Sequence, residues 1–300
     1  MSDTPGRSRI GKRLVIGIPM VWLLLFFLIP FAIVLKVSLS EGMIAQPPYG
    51  PILEWSEDSW LPAYVGSLFN YEWLLDDPLY ITAYLNSIWM ALVSTFFCLV
   101  IAYPMAYLIA RSSPSTRTTL LMLVVLPFWT SSLLRIYALL GLLSPNGYIN
   151  TVLQWLGVID APLQMLQTDF AVYLGIVFTY LPLMVLPLYA TLEKLDESLL
   201  EASADLGASG FGTFWQVTLP LSGPGIAAGC LLVFIPAVGE YVIPALMGGP
   251  DQLMIGKVLY TEFFGNRDWP VASAVAIAML AFLVIPFMML RNSSALRGEV

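Results

Sequence analysis

Six stretches of this chain are apolar over about 20 residues, the length at which a helix crosses the hydrocarbon core of a bilayer. They run from Leu14 to about Leu39, Leu85 to Ala110, Leu120 to Leu143, Phe170 to Leu192, Ile226 to Leu246 and Val271 to Leu290. Backbone polar groups in hydrocarbon must be satisfied within their own segment, so runs of this kind fold as helices. With 58% hydrophobic and only 11% charged residues, little sequence remains for a separate water-soluble domain. The fold class expected is all-α: a polytopic membrane protein, one domain over residues 1–300 with six transmembrane helices.

The distribution of charge orients those helices. Arg7, Arg9, Lys12 and Arg13 precede the first run, Arg111 and Arg117 lie between the second and third, Lys194 follows the fourth, and Arg291 and Arg297 follow the sixth. By the positive-inside rule the side that carries them is cytoplasmic. Both termini, the tails 1–13 and 291–300, are therefore expected inside. The loop 41–83, with seven acidic residues and no basic one, is expected outside, in the periplasm. The first run is longer than a signal-peptide core, contains Pro19 and Pro30 and ends without a small-residue cleavage pattern, so it reads as retained.

Composition also removes whole classes of chemistry. The chain has no histidine, and its two cysteines, Cys98 and Cys230, lie far apart inside apolar runs. A histidine-based catalytic triad, a zinc site and a CxxC redox pair are thereby excluded, and each cysteine reads as a small packing residue. No GxxxxGK[ST] phosphate loop is present, since "GASGFG" lacks the following lysine. The chain is not expected to be an enzyme, and no cofactor or metal is expected to belong to it.

The outlier is the loop 193–222, which holds "ESLLEASADLGASGFGTFWQVTLP" at 197–220. Projected on a helix, Leu195, Leu199, Ala202 and Leu206 share one face while Glu197, Glu201 and Asp205 share the other. Gly207 sits where a helix C-cap belongs, and Phe211–Val217 can form a second short turn before Pro220. A face of three carboxylates is repelled by anionic headgroups, so the partner it suits is a protein groove with basic residues. The plain alternative is a solvated face, with Ser198 and Glu201 at capping-box spacing.

The spacing of Glu201-Ala202-Ser203, then Gly207, then Val217-Thr218-Leu219-Pro220 resembles the EAA loop of the membrane subunits of ATP-binding-cassette importers. Ser203 and Val217 are conservative departures from that pattern. The resemblance implies that Glu201, Ala202, Ser203, Asp205, Gly207, Val217, Leu219 and Pro220 couple the chain to the ATP-binding subunits, which bind the ATP. "LPFWTSSLLRIYALLGLL", "YLPLMVLPLYATLEKLDESLLEASADLGA", "FIPAVGEYVIPALMGGPDQLMIGKVL" and "FFGNRDWPVASAVAIAML" are similar to the permeases of putrescine/spermidine importers, most of all the putrescine type. That likeness implies the type I importer permease fold, in a bacterial inner membrane. Its expected partners are a second homologous permease, an ATP-binding subunit dimer and a periplasmic polyamine-binding protein. A permease for an amino acid or another cation, or a stand-alone secondary transporter, remain the alternatives.

A flexible diamine needs carboxylates, carbonyls or aromatic faces along its path. Glu240, sixteen residues beyond Pro224 and so about 24 Å along a helix, is expected in the outer half of the bilayer. Pro236, Gly239, Pro244 and Gly248-Gly249 should break the helix around it. Either Glu240 faces the substrate, with Trp129, Tyr180 and Tyr241 (and Tyr137) as aromatic walls, or it pairs with Arg135 and locks two helices.

Overall fold

The structure is a computed structural model that describes residues 5–54 and 63–291. The first apolar run is one continuous helical stretch, α1 (Pro5–Leu23) passing through a π turn at Leu24–Leu28 into α2 (Ile29–Ser38). The strands β1 (Leu53–Glu54) and β2 (Ala63–Tyr64) pair antiparallel, Leu53 opposite Tyr64, and α3 (Phe69–Asp76) follows. The second run begins earlier than its hydropathy indicates. Pro78, tolerated in a first turn because its missing N–H is not needed there, opens α4 (Pro78–Ala110), a helix about 50 Å long.

The third run does not form one rod. After α5 (Pro114–Val125) a 3-10 turn at Leu126–Trp129 and an extended Thr130 precede α6 (Ser132–Leu143) and α7 (Tyr148–Trp155). The helices on the two sides of this break are bent by 93°. Pro127, which has no N–H to give to the helix ladder, sits at the break, and Thr130 Oγ1 donates to its carbonyl at 2.7 Å. Then come α8 (Asp169–Leu192), α9 (Glu197–Asp205), α10 (Gly210–Thr213), a π turn at Phe214–Thr218, α11 (Leu219–Leu221), α12 (Gly223–Val238), α13 (Val242–Met247), α14 (Ile255–Tyr260) and α15 (Trp269–Arg291).

Three described helices, Arg13–Ser38, Pro78–Ala110 and Asp169–Leu192, are long and apolar enough to cross a membrane; the bent pairs Pro114–Trp129 with Ser132–Trp155 and Gly210–Leu221 with Gly223–Val238 bring the number to five. The sixth run is helical as α15. The side chains of Arg7, Arg9 and Lys12 and all of 292–300 lie outside the described residues, as does the stretch 55–62 of the acidic loop.

The chain divides into two units. One combines Met1–Pro78 with Leu259–Met289, and the other is built on Leu79–Val258. In the first, the end of α2 is fastened by α3: the buried Asn70 donates to the carbonyls of Ser38 and Ser40 at 2.9 and 2.8 Å, satisfying acceptors that the helix end leaves open. From Leu14 to Ile29 the apolar side chains are exposed among the described residues, as suits a helix whose solvent is lipid.

The second unit is organised around α8. Every fourth residue from Val172 to Leu192 (Val172, Ile176, Met184, Leu188, Leu192) is fully buried, with Tyr180 in the remaining place; rows of this spacing are the ridges by which helices interlock. Cys98, Ala102 and Ala106 of α4 and Val233 of α12 complete that core. Both cysteines are free thiols.

The helices α8 and α12 run antiparallel at very close range. A Cβ on Gly225 would stand 2.6 Å from Thr191 Oγ1, and one on Gly229 would stand 2.6 Å from Met184 Sδ and 3.3 Å from the Met184 carbonyl. These two glycines make a GxxxG pair, the small-residue spacing that lets apolar helices meet backbone to backbone. Gly229→Leu should therefore overpack the seam by about 1–3 kcal/mol, read as a lower melting temperature in detergent; a melting temperature equal to that of the parent chain would show that the seam does not depend on a small residue at Gly229.

Candidate functional site

Two places in the second unit carry the residues singled out from sequence. The first is the stretch 197–221. Its leading helix, α9, is capped by Asp196, whose carboxylate accepts from the Ser198 N–H at 3.0 Å. That hydrogen bond to the backbone holds the Asp196 carboxyl below the ordinary aspartate range. The capping-box expectation thus shifts: Asp196, not Ser198, is the N-cap, because it stands one residue ahead of the helix with extended backbone.

The helix ends as a Schellman motif. The N–H of Ala208 reaches the Ser203 carbonyl at 3.1 Å and the N–H of Gly207 reaches Ala204 at 2.9 Å. Gly207 has φ +81°, and a Cβ there would meet nothing within 4 Å. Glycine is required here by the left-handed backbone alone, as no described residue crowds it. Ser203, the departure from the EAA pattern, shares a hydrogen bond of 3.0 Å with the hydroxyl of Thr213 and so ties α9 to α10. Ser209 caps α10 by accepting from the Gly212 N–H. Beyond the π turn, which carries Val217, α11 carries Leu219 and Pro220 to a 65° bend at Ser222. Ser222 is fully buried and shares a hydrogen bond with Tyr103 at 2.9 Å.

The structure divides the acidic face. Glu197 accepts from Arg111 Nη1 at 2.8 Å, and Glu193, just ahead of α9, accepts from Arg117 Nη1 at 2.6 Å. Arg117 also donates to the carbonyl of Ala110, the last residue of α4. Glu201 and Asp205 remain exposed and in no ion pair among the described residues. These two arginines were read from sequence only as markers of sidedness; their pairing joins the α4–α5 turn to the start of α9, and no spacing in the sequence signals it. Partly exposed pairs are worth about 1 kcal/mol or less, so they orient the loop more than they stabilise the fold. The apolar side is mostly unfilled: Leu195 is buried, yet Leu199, Leu206, Phe211 and Trp215 are exposed, Leu206 at 89%.

The second place is the interruption of the fifth apolar run. The helix α12 stops at Val238, and α13 begins at Val242. Glu240 lies between and fastens both sides. Its Oε1 accepts from the N–H groups of Tyr241, Val242 and Ile243 at 3.1, 2.9 and 3.3 Å, and its Oε2 accepts from the Tyr180 hydroxyl. Gly256 packs on the same break, where a Cβ would approach the Glu240 carbonyl to 2.7 Å. The sequence alternative of a Glu240–Arg135 pair is not what forms. Arg135 makes no ion pair among the described residues and lies over the ring of Phe128 at 5.7 Å. The nearer donors win because the break itself leaves three N–H groups free beside the carboxylate. Tyr180, Glu240 and Tyr241 are therefore brought together at the break. Trp129 stands apart from them, 87% exposed, at the interruption of the third run.

A family model for the inner membrane component of binding-protein-dependent transport systems matches residues 79–298. The chain belongs to this family. It is 42% identical over 278 residues to the spermidine/putrescine transport system permease protein PotB of Escherichia coli (strain K12), covering 93% of this chain and 96% of that one. It is 41% identical over 274 residues to the PotB of Haemophilus influenzae, with 91% of each chain covered. The likeness to putrescine/spermidine permeases read from four stretches of the sequence is thus borne out and extends over most of the chain. Among solved structures, a bacterial ABC transporter that imports the acidic polysaccharide alginate has the same fold, with a TM-score of 0.67 over 96% of this chain and 98% of that one at 16% identity. The relatives of this family member are transport permeases, in keeping with the absence of a catalytic constellation expected from its composition.

Proposed function

We propose that this family member is the permease subunit of an ATP-driven importer of polyamines of the putrescine class in a bacterial inner membrane. It crosses the bilayer six times with both termini cytoplasmic and works by alternating access. The feature that carries the reading is the pair α9–α10. It is braced from within by Asp196, Ser203 and the two arginine–glutamate pairs, while its outward side presents Leu206, Phe211, Glu201 and Asp205, exposed among the described residues. An apolar patch rimmed by carboxylates suits a groove in a protein with basic residues. That partner is an ATP-binding subunit dimer, which binds and hydrolyses the ATP; a second homologous permease and a periplasmic polyamine-binding protein complete the complex. The solved complex of the alginate transporter with its periplasmic protein supports partners of these kinds.

Cargo passes the two interruptions at Trp129–Ser131 and Gly239–Tyr241, since irregular backbone at membrane depth is tolerated where it lines a cavity. Glu240, Tyr180, Tyr241 and Trp129 are the side chains assigned to that path. The deciding experiment is uptake into proteoliposomes holding the purified complex, its binding protein and internal ATP. Putrescine or spermidine should accumulate and arginine should not. Accumulation of arginine instead would move the cargo to another cation. Transport by this chain purified without any ATP-binding subunit would make it a stand-alone carrier.

A further inference from the structure

At the end of the second unit away from α9–α10, a cavity of about 340 Å³ opens between α4, the start of α8 and the loop after α13. Volumes near this lower limit belong to small-molecule sites. Asp169 and Asp251 supply two carboxylates to it, Trp89 and Tyr173 two aromatic rings, and no lysine or arginine is among its lining residues. Gln252, also in the lining, donates through Nε2 to Asp169 Oδ1, which fixes the orientation of its amide. Its amide oxygen is buried and accepts no hydrogen bond among the described residues. Asp251 is exposed and in no ion pair among the described residues. What the cavity wants is thus one-sided: two anionic acceptors and one orphaned neutral acceptor, with aromatic rings beside them. A buried acceptor without a donor is costly, and the group that suits this lining is an ammonium, with three N–H donors, a positive charge for the carboxylates and an attraction to aromatic faces.

Asp169 is the first residue of the 24-residue helix α8. The arrangement differs from Glu240, whose Oε1 is taken up by three backbone donors and whose Oε2 is engaged by Tyr180.

We infer that this cavity is a receiving subsite for one ammonium end of a linear aliphatic diamine, held by Asp169, Asp251 and the Gln252 amide oxygen against Trp89 and Tyr173. The assignment rests on the polyamine reading above and adds a location to it, separate from the interruption at Glu240.

The test uses the whole reconstituted complex, with uptake of putrescine and ATP hydrolysis followed together as loaded binding protein is titrated. Asp251→Asn and Asp169→Asn should each lower the putrescine moved per ATP hydrolysed by about fivefold or more, the loss of one charged hydrogen bond, and Asp251→Glu should restore most of it. Trp89→Leu, which leaves both carboxylates in place, should lower it less. If the half-saturating concentration of binding protein rises while putrescine per ATP holds, the residues form a docking surface for that protein and the inference is overturned. It is likewise overturned if uptake and hydrolysis fall in parallel, or if neither changes. Should Asp169→Asn fail to assemble, the exposed Asp251 carries the test alone. A parent complex that moves no diamine at all is a different result and defeats the polyamine reading itself.

Discussion

Gly207→Val is expected to abolish ATP-driven uptake while the chain still inserts in the membrane. At φ +81° a residue with a side chain costs about 1–2 kcal/mol, and a β-branched one is a poorer fit still. To escape that cost the backbone must leave the left-handed region, which withdraws the N–H groups of Gly207 and Ala208 from the carbonyls of Ala204 and Ser203. The end of α9 then frays, and α10 no longer holds its place beside it. None of this touches α8 or α12, so membrane insertion and folding of the second unit should persist. The loss belongs to coupling: the permease should recover less ATP-binding subunit on purification, and the ATPase that does bind should no longer respond to loaded binding protein. Gly207→Ala separates the two possible causes. Within this chain there is room for its Cβ, so a severe defect in the alanine variant that exceeds its cost in backbone strain points to a partner surface pressed against Gly207. Normal uptake by the valine variant would remove 197–221 from the coupling role.

The second large effect is expected at Glu240. Glu240→Leu takes away the acceptor for three N–H groups at the start of α13 and the partner of the Tyr180 hydroxyl. Each unmet buried group costs about 1–3 kcal/mol; a clear drop in melting temperature and a loss of uptake should follow. Glu240→Gln is the informative companion. Its amide oxygen can still accept from Tyr241, Val242 and Ile243, and its amide N–H can still meet the Tyr180 oxygen, so the break is kept and only the charge is removed. Thermal stability near that of the parent with a fall in putrescine uptake of about fivefold or more would assign the charge to the cargo path. Unchanged uptake in the glutamine variant would make Glu240 a fastener of the helix break and nothing further. Tyr180→Phe, which removes one donor and no charge, should fall between the two in stability.

Much of the stretch 197–221 is legible in the sequence because its signals are local. The break before α9, the glycine at its end and the helix that follows depend on residues within a few positions of one another, and the left-handed Gly207 stands where the C-cap was expected. The two arginine–glutamate pairs were not legible, since each joins residues roughly eighty positions apart. The same distinction applies to Glu240. Its setting in a Pro- and Gly-rich stretch announces a broken helix, but that the Tyr180 hydroxyl engages it depends on which residue of α8 faces the break.

By itself the sequence determined the apolar segments and the membrane class of the chain, the exclusion of histidine and P-loop chemistry, and the family. These rest on composition, on the length of apolar runs against the thickness of a bilayer, and on the spacing of short motifs. The tertiary structure decided what depends on packing between helices: the sharp bend at Pro127, the close α8–α12 seam at Gly225 and Gly229, the Tyr180–Glu240 fastening, and the cavity that gathers Trp89, Asp169, Tyr173 and Asp251. Inside an apolar helix, hydropathy is nearly uniform around the axis, so a sequence says that the residue is buried in something but not whether lipid or another helix covers it. The antiparallel packing of α8 and α12 makes that choice for the faces that meet at Met184, Thr191, Gly225 and Gly229.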